Sequence, residues 1–383
     1  MKEVVFESLY AEPSRNGLTK PRSVRGAGYK MINMGELFAY GRINNPVMDL
    51  VPLTSKELQN FQVKKGDLLF ARQSLIASGA GKCSIVMDCP VITVFESHLI
   101  RVRLNPEKCN PLFYYYYFSS SIGVEKTQSL VSQVAAAGIR GSELAKLNVH
   151  YIEKKYQDKI AKILSNYDDL IENNNKRIKI LEEMAQYIYK EWFVDFKYPG
   201  HETATFKDTE LGKLVMPKKG KNITKATIKE GNIPVVAGGL EPAYYHSVAN
   251  TVAPVITISA SGANAGYVKL YYEDVWASDC SYIDSLMTPY VYYFYLYLKY
   301  NQVRVTNLQK GAAQPHVYPQ DLATLKIINI DENVIKQFNS IVTPLFEEIK
   351  NIILKNKILR KTRDLLLPRL MSGEIDIENL EIA

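Results

Sequence analysis

The chain has 383 residues, of which 46% are hydrophobic and 23% are charged, a composition that is typical of a globular protein and excludes a disordered one. Its net charge of +7 permits a polyanionic partner without requiring one, because such an excess can also be solvated surface. The four cysteines form no C-x-x-C pair, which argues against a zinc site or a disulfide framework and fits a reducing cytosol.

Residues 1–150 are predicted to form a globule of mixed α and β structure. The segments GDLLFARQS, CSIVMDCPVITVF and HLIRVRL carry β-branched and aromatic residues between Gly, Pro and Asp, and are therefore predicted strands. The Tyr-rich segment that begins at Pro111 is predicted to be a helix with proline in its first turn. The first residues, MKEVVFESLYAEPSRNG, contain no apolar core of signal-peptide length.

Three segments of this globule combine basic and polar side chains, which suit contacts to phosphates and to base edges. The alternatives are a solvated charged loop or, for the glycine-rich segment, a plain turn. The candidate DNA-binding residues are Arg15, Lys20, Arg22 and Arg25 in SRNGLTKPRSVRG, Arg72, Gln73 and Ser74 in RQSLIASG, and Gln133 and Arg140 in SQVAAAGIRGSEL.

Residues 151–197 are predicted to form a long helix. Apolar residues recur at alternating intervals of four and three from Ile160 to Trp192, with Asn174 as the polar exception, and this is a heptad seam that needs a partner helix. The alternative is a helix that packs on its own globule. A seam of nearly five heptads is narrower and longer than such packing needs.

Residues 198–330 are predicted to form a second mixed globule, with strands in NIPVVAGG and PVITISASG and a helix after Pro289. Its most apolar run, PYVYYFYLYL, is far shorter than a membrane span, so we expect a cytoplasmic protein with no membrane contact. The candidate DNA-binding residues here are Lys218, Lys219, Lys221 and Lys225 in PKKGKNITK, Ser259 and Asn264 in SASGAN, and Gln309, Gln314 and His316 in QKGAAQPHVYPQDL.

Residues 331–383 repeat the long helix, because a second seam runs from Phe338 to Leu370. Pro111 and Pro289 also lie 178 positions apart, as do Leu144 and Leu322, so the whole globule-plus-helix segment is duplicated. The predicted fold is therefore α+β: two mixed α/β globules in a pseudo-two-fold repeat, separated by two long helices that form an antiparallel coiled coil.

This symmetry predicts the helix register, because the numbers of facing residues then sum to 530. Asn174 would face Asn356, and a buried Asn pair fixes register since any slip leaves its amides unpaired. Arg363 would face Tyr167 and stack on its ring. Pro344 predicts a kink or a break, with Thr343 capping a fresh helix start.

The chain carries no recognisable catalytic motif. SGAGK resembles a phosphate loop, but Ile76 stands where its first glycine belongs and Cys83 where Ser or Thr belongs. No glycine-rich loop opens a helix after a strand, no Asn-Pro-Pro-aromatic segment of an amino-methyltransferase occurs, and no His pair has ligand spacing. We therefore expect no catalytic residue, no metal and no bound cofactor.

The segments KIAKILSNYDDLIENNNKRIKILEEMAQYIYKEWFVDF, GAAQPHVYPQDLATLKI and LRKTRDLLLPRLMSGEI resemble the specificity subunit of type I restriction-modification systems, and the likeness covers essentially the whole chain. It implies target recognition domains at 1–150 and 198–330, each reading one half of a two-part asymmetric site in double-stranded DNA. The helices at 151–197 and 331–383 would set the unread spacer. The implied partners are two modification subunits, which bind S-adenosylmethionine, and restriction subunits, which use ATP; the chain itself would be non-catalytic.

Three other functions remain open at this point. A single-chain modification or restriction enzyme would methylate or cut DNA alone, and the missing motifs weigh against it. A stand-alone DNA-binding regulator would not co-purify with a methyltransferase. A coiled-coil scaffold would show no salt-dependent DNA binding.

Overall fold

The computed structural model describes residues 2–74, 77–133, 137–203, 207–311 and 314–377 and divides into two compact units. Unit 1 comprises Met1–Glu172 and Lys357–Ala383, and unit 2 comprises Asn173–Asn356. The division falls inside both long helices, so each unit contains a segment of both.

The described residues of unit 1 form four sheets, with strand orders β2-β10-β6-β8-β4, β11-β12-β7, β5-β3-β9 and β1-β13. Its strands are β1 (Lys2–Val5), β2 (Tyr10–Asn16), β3 (Tyr29–Ile32), β4 (Arg42–Asn44), β5 (Asp49–Val51), β6 (Leu68–Ala71), β7 (Gln73–Ser74), β8 (Cys83–Asp88), β9 (Thr93–Phe95), β10 (Leu99–Leu104), β11 (Ser132–Gln133), β12 (Ala137–Gly138) and β13 (Asn148–Tyr151). Its helices are α1 (Met34–Ala39), α2 (Ser55–Phe61), α3 (Pro111–Ser119), α4 (Ser121–Gln128), α5 (Gly141–Ala145) and the start of the long helix α6 (Lys154–Phe193).

The core of unit 1 joins the large sheet to α3 and to both long helices. Pro111 occupies the first turn of α3, and the Asn110 side chain caps that turn by accepting from the backbone N–H of Leu112 at 2.8 Å. Phe113 on the buried face of α3, Leu164 of the first long helix and Leu370 of the second belong to one apolar cluster. The segments of the long helices thus complete the core of this unit.

In the described part of unit 2 there are three sheets, with strand orders β15-β21-β18-β19, β17-β16-β20 and β14-β22. Its strands are β14 (Lys207–Glu210), β15 (Lys218–Lys219), β16 (Ile233–Val236), β17 (Tyr244–His246), β18 (Val255–Ser259), β19 (Val268–Tyr271), β20 (Trp276–Ala277), β21 (Cys280–Asp284) and β22 (Lys326–Asn329). Its helices are α7 (Leu211–Leu214), α8 (Val291–Tyr300), α9 (Gln302–Thr306), α10 (Pro319–Ala323) and the larger part of α11 (Glu332–Ser372).

The same framework occurs in each unit. Strands β10, β6 and β8 of unit 1 are hydrogen-bonded in the same antiparallel order as β21, β18 and β19 of unit 2. The short helix α5, strand β13 and the start of α6 each recur 178 positions later as α10, β22 and α11. The offset seen in the sequence is therefore an offset of matching structural elements.

In unit 2 the segments of α6 and α11 run antiparallel. Asn174 Nδ2 donates to Asn356 Oδ1 at 2.8 Å, and Arg177 pairs with Glu348 at 2.7 Å. Residue numbers therefore increase along α6 where those of the facing residues decrease along α11. Phe193 packs on Phe338 with ring centroids 4.8 Å apart. Each seam position of the two segments is buried or half-buried, as a helix pair requires.

In unit 1 the expected stacking of Arg363 on Tyr167 is replaced by an ion pair. The Arg363 guanidinium donates to Asp168, one residue further along α6, and Asp168 also accepts from the Tyr116 hydroxyl at 2.6 Å. A buried carboxylate that lacks a cation is costly, so it draws the guanidinium away from the ring. Burial lowers the pKa of Arg363, but Asp168 and Asp364 together raise it above its ordinary value.

The break expected at Pro344 does not occur, because α11 is continuous from Glu332 to Ser372. Proline leaves the carbonyl of the residue four positions earlier, Ser340, without its helical donor. Both residues are exposed, so water can solvate that carbonyl. Thr343 does not cap a new start; its hydroxyl donates back to the carbonyl of Asn339 at 2.6 Å.

Candidate nucleic-acid interface

A cationic cleft of about 530 Å³ lies on unit 1, between the end of β2, the end of β6 and α5. It brings together Arg72 and Arg140, two predicted residues that are 68 positions apart, and adds Lys146, which the sequence reasoning missed. The remaining lining residues are small, polar or acidic: Glu7, Pro13, Ser14, Asn16, Gly141, Ser142 and Ala145.

Backbone hydrogen bonds position the two arginines. The amide of Ile139 donates to the carbonyl of Arg72 at 2.9 Å, and the Arg72 amide donates to His98 at 2.7 Å, so the two loops are held side by side. Arg140 is the N-cap residue of α5; its side chain is exposed, and its backbone N–H donates to the Glu143 carboxylate at 3.3 Å. Arg72 is half-buried, and its guanidinium donates to the Ser97 carbonyl at 3.3 Å.

This arrangement suits an anionic ligand with several acceptors. A guanidinium presents its donors in a planar fork, which matches both a phosphate and the O6 and N7 acceptors of guanine. Gln73 is exposed and Ser74 is half-buried on β7, which pairs with β12 directly beside the cleft. Gln133 lies on β11 of the same sheet, but its side chain is outside the described part of the chain.

The basic loop near the start of the chain is separate from this cleft and is partly neutralised. Arg25 pairs with Asp49 at 2.6 Å and donates to the side chain of Asn33 at 3.0 Å, while Lys20 pairs with Glu57 at 2.9 Å. Arg22 is exposed at a second cleft of about 630 Å³, whose lining includes the acids Glu36, Asp49 and Glu96. An acidic lining disfavours a nucleic acid, so this loop is the weaker candidate of the two.

Arg15 lies on β2 with its side chain exposed and its guanidinium 5.7 Å from the centre of the Phe61 ring. Its neighbour on β10 is Arg101, which is 4% exposed and paired with Glu12. The structure therefore separates an outward arginine, which stays available to a ligand, from a buried one that serves the fold.

In unit 2 the four predicted lysines lie together along one exposed segment. Lys218 and Lys219 form β15 at the edge of the sheet, opposite Tyr282 and Ser281 of β21. Lys221 follows in the loop and Lys225 lies in the turn after it, and all four side chains are exposed. No salt bridge to them occurs among the residues that the structure describes.

The other predicted residues of unit 2 gather where three loops meet. Asn264 donates to the carbonyl of Gly238 at 3.4 Å, and Gln309 donates to Ala265 at 2.8 Å. The backbone of His316 bridges to Lys310 and to Ser261, which holds this loop in place, and Gln314 is exposed beside it. These loops occupy the same place in unit 2 that the cationic cleft occupies in unit 1.

Ser259 needs a correction. It is 5% exposed, and its hydroxyl donates to the Gly238 carbonyl at 3.1 Å. Every residue of β18 is buried, because this strand is covered on both faces, and Ser259 therefore supports the loop from inside. It does not lie on a surface that DNA could reach.

Tyr318 is a candidate that the sequence reasoning missed. It is the N-cap residue of α10 and is 45% exposed, and its ring stacks on His316 with centroids 5.9 Å apart and an interplanar angle of 15°. The signal was present in the numbering, since Tyr318 lies 178 positions after Arg140, the residue at the same place in α5.

The described residues contain no group of three His, Cys, Asp or Glu placed to hold a metal ion. None of the helices within the described ranges is long and apolar enough to cross a membrane.

The duplicated framework and its two polar loop clusters define an internally repeated protein with one candidate interface per repeat. The model of the type I restriction modification DNA specificity domain matches residues 23–183 and 202–360. These matches cover most of the chain, and the chain belongs to this family.

Similar proteins include the type I restriction enzyme MjaIX specificity subunit of Methanocaldococcus jannaschii, which is 27% identical over 301 residues covering 70% of each chain. The type I restriction enzyme HindI specificity subunit of Haemophilus influenzae is 28% identical over 171 residues, 43% of this chain and 35% of that one. The crystal structure of the S subunit of a type I restriction-modification system from M. genitalium has a TM-score of 0.60 at 18% identity, covering 96% of this chain and 95% of that chain. This last likeness shows a shared fold.

Proposed function

We propose that the chain is the sequence-specific DNA-recognition subunit of a type I restriction-modification complex, and that each globular unit reads one half of a two-part asymmetric site. The observation that carries this proposal is the repeated loop framework. Its backbone bonds are the same in both units, while the side chains that it displays differ. A common frame with different side chains suits two readers of different sequences.

The two long helices would set the length of DNA that lies unread between the half-sites. They contain 40 and 41 residues, and a helix of that length spans about 60 Å at 1.5 Å per residue. The buried Asn174–Asn356 hydrogen bond supports this role, because a spacer of fixed length requires a fixed register.

The helices would also dock two modification subunits. Ile180 and Tyr187 on α6 are 55% and 63% exposed, and Ile358 and Leu365 on α11 are 65% and 60% exposed. The members of each pair, Ile180 with Ile358 and Tyr187 with Leu365, are 178 positions apart. Repeated exposed apolar positions suit two copies of one partner. Ile180→Asp and Ile358→Asp should each remove one modification subunit from the complex in native mass spectrometry.

In this proposal the chain performs no chemistry and binds no cofactor. S-adenosylmethionine would be bound by the modification subunits and ATP by restriction subunits. Purified chain alone should therefore neither methylate nor cleave DNA, and adding a modification subunit should be sufficient for methylation.

The experiment that tests the proposal is methylome sequencing of cells that express the chain with the modification subunit encoded beside it. The expected result is one asymmetric motif of two short defined parts separated by undefined bases. A contiguous motif, or a methylation pattern that persists when this chain is deleted, would overturn the proposal.

A further inference from the structure

The two units carry chemically different side chains at matching places of the repeated framework. In unit 1 the Ile139 amide donates to the Arg72 carbonyl at 2.9 Å. In unit 2 the Val317 amide donates to the Ala260 carbonyl, also at 2.9 Å, and Val317 lies 178 positions after Ile139. The place of Arg72 is therefore taken by Ala260.

The two other cations of the unit 1 cleft are replaced as well. Arg140 is the N-cap and Lys146 the C-cap of α5. The matching residues of α10, each 178 positions later, are Tyr318 at the N-cap and Thr324 at the C-cap. Three positive charges in unit 1 thus correspond to three uncharged residues in unit 2.

Unit 2 presents an aromatic surface where unit 1 presents charge. The rings of His316 and Tyr318 are stacked within 15° of parallel, and Tyr318 is 45% exposed. The nearby ammonium of Lys310 is paired with the Asp321 carboxylate at 2.5 Å. The exposed lysines around β15 remain available to attract phosphates, which carry no sequence information.

We infer that the two units read their half-sites with different chemistry, and this inference rests on the proposed function. Unit 1 reads through Arg72, Arg140 and Lys146, whose donors suit guanine edges and flanking phosphates. Unit 2 reads through the stacked rings of His316 and Tyr318, whose apolar edges suit the C5-methyl group of thymine. Tyr318 is therefore a residue that determines the DNA-sequence specificity of unit 2.

The salt dependence of binding distinguishes the two chemistries. A pool of random-sequence duplexes is enriched for binding to the full-length chain assembled with its modification subunits. The enriched duplex is then the probe in binding titrations. Arg140→Ala should weaken binding about tenfold or more and reduce the slope of log K against log salt by about one. Tyr318→Ala should weaken binding by a similar factor and leave the slope unchanged, because no counterion is released at that contact.

Base substitution in the probe tests the contact itself. Replacing thymine by uracil in one half of the enriched site removes only the methyl group, and should weaken binding to wild-type protein but not to Tyr318→Ala. Tyr318→Phe, which keeps the ring and its edge, should retain the thymine preference. Tyr318→Arg should change the enriched bases in that half-site alone.

Two outcomes would overturn the inference and can be told apart from failure of the proposed function. If the Tyr318→Ala complex binds DNA with wild-type affinity and selects the wild-type site, the inference is wrong, while the proposed function is unaffected. The inference would also be contradicted if Tyr318→Ala reduced the slope of log K against log salt as much as Arg140→Ala does. If the wild-type complex enriches no duplex, the proposed function itself has failed.

Discussion

Asn174 and Asn356 share a hydrogen bond of 2.8 Å at a seam whose flanking positions are apolar, and both side chains are nearly inaccessible, at 4% and 2%. The second amide hydrogen-bonding group of Asn356 is also used, because its Nδ2 donates to the Asn175 side chain at 3.0 Å. A shift of either helix would leave these amides facing isoleucine or leucine. The pair therefore selects one register at some expense in stability.

Removing one member of the pair should destabilise unit 2. Asn356→Ala leaves the Asn174 amide buried without its acceptor, so we expect the free energy of unfolding to fall by about 1–3 kcal/mol in urea titrations. Asn351→Ala, on an exposed position of the same helix, is the control and should change stability by about 0.5 kcal/mol or less. Equal effects of the two substitutions would contradict the role of the pair.

The ion pair between Asp168 and Arg363 in unit 1 has an apolar counterpart in unit 2. Positions 178 residues away from these two are Phe346 and Ala185, which are 1% and 0% exposed. The same layer of the helix pair is thus charged in one unit and apolar in the other. Pairing α6 with the α6 of another copy in the symmetric register would set Asp168 against Ala185, which disfavours such a dimer.

Arg363→Ala should destabilise unit 1 by about 3 kcal/mol, because among the described residues it leaves the buried Asp168 carboxylate with the Tyr116 hydroxyl as its one hydrogen-bond partner. The control is Arg177→Ala in unit 2, whose pair with Glu348 is exposed and should contribute about 1 kcal/mol or less. The double variant Asp168→Phe with Arg363→Ala copies unit 2 and should recover part of the loss. If the double variant is no more stable than Arg363→Ala, the carboxylate is not the source of the penalty. Urea unfolding of each variant supplies the comparison.

Pro344→Ala should stabilise the protein, because it restores a donor for the Ser340 carbonyl and removes the ring from the helix interior. Substituting proline by alanine inside a helix is worth up to about 3 kcal/mol, and solvation of the exposed carbonyl reduces the gain here to about 1–2 kcal/mol. Thermal unfolding should show a raised midpoint. A lowered midpoint would mean that the proline shapes a contact of α11 that alanine cannot keep.

The repeat, the helix pair and the central strands β6, β8, β10 and β18 could be predicted because they depend on local periodicity and on a constant offset. Whether a given polar side chain is paired, buried or exposed could not be predicted. Arg25 is paired with Asp49, 24 positions away, and Ser259 is buried because β18 is covered on both faces. A strand covered on both faces shows no alternation, so its sequence does not reveal which side chains reach the surface. Tyr318, by contrast, could have been found from the sequence, since it lies 178 positions after Arg140, the offset that the repeat already gives.

Arg25 and Arg140 should therefore respond differently to substitution. Arg25→Ala removes its bonds to Asp49 and Asn33, so we expect lower stability with little direct effect on DNA affinity. Arg140→Ala removes an exposed side chain at the cationic cleft, so we expect wild-type stability and DNA binding weakened by about 1–3 kcal/mol. Urea unfolding and binding titrations on the same preparations separate the two effects. If Arg25→Ala weakens DNA binding and Arg140→Ala does not, the DNA interface of unit 1 lies at the loop that contains Arg25.

Lengthening both helices should lengthen the unread spacer. Seven residues inserted after Glu172 in α6 and seven after Asn356 in α11 fall between the two compact units, so neither unit is interrupted. One heptad preserves the phase of the seam and adds about 10 Å of helix, which corresponds to about three base pairs if the helices run along the duplex.

Methylome sequencing should then give the same two half-sites with a longer gap between them. Insertion in α6 alone is the control, because it leaves the seam without a matching partner segment and should abolish methylation rather than change the gap. Altered half-sites with an unchanged gap would mean that the helices do not set the spacing. The result with both insertions is decisive, because the reading loops of each unit remain untouched and only the length of the helix pair changes.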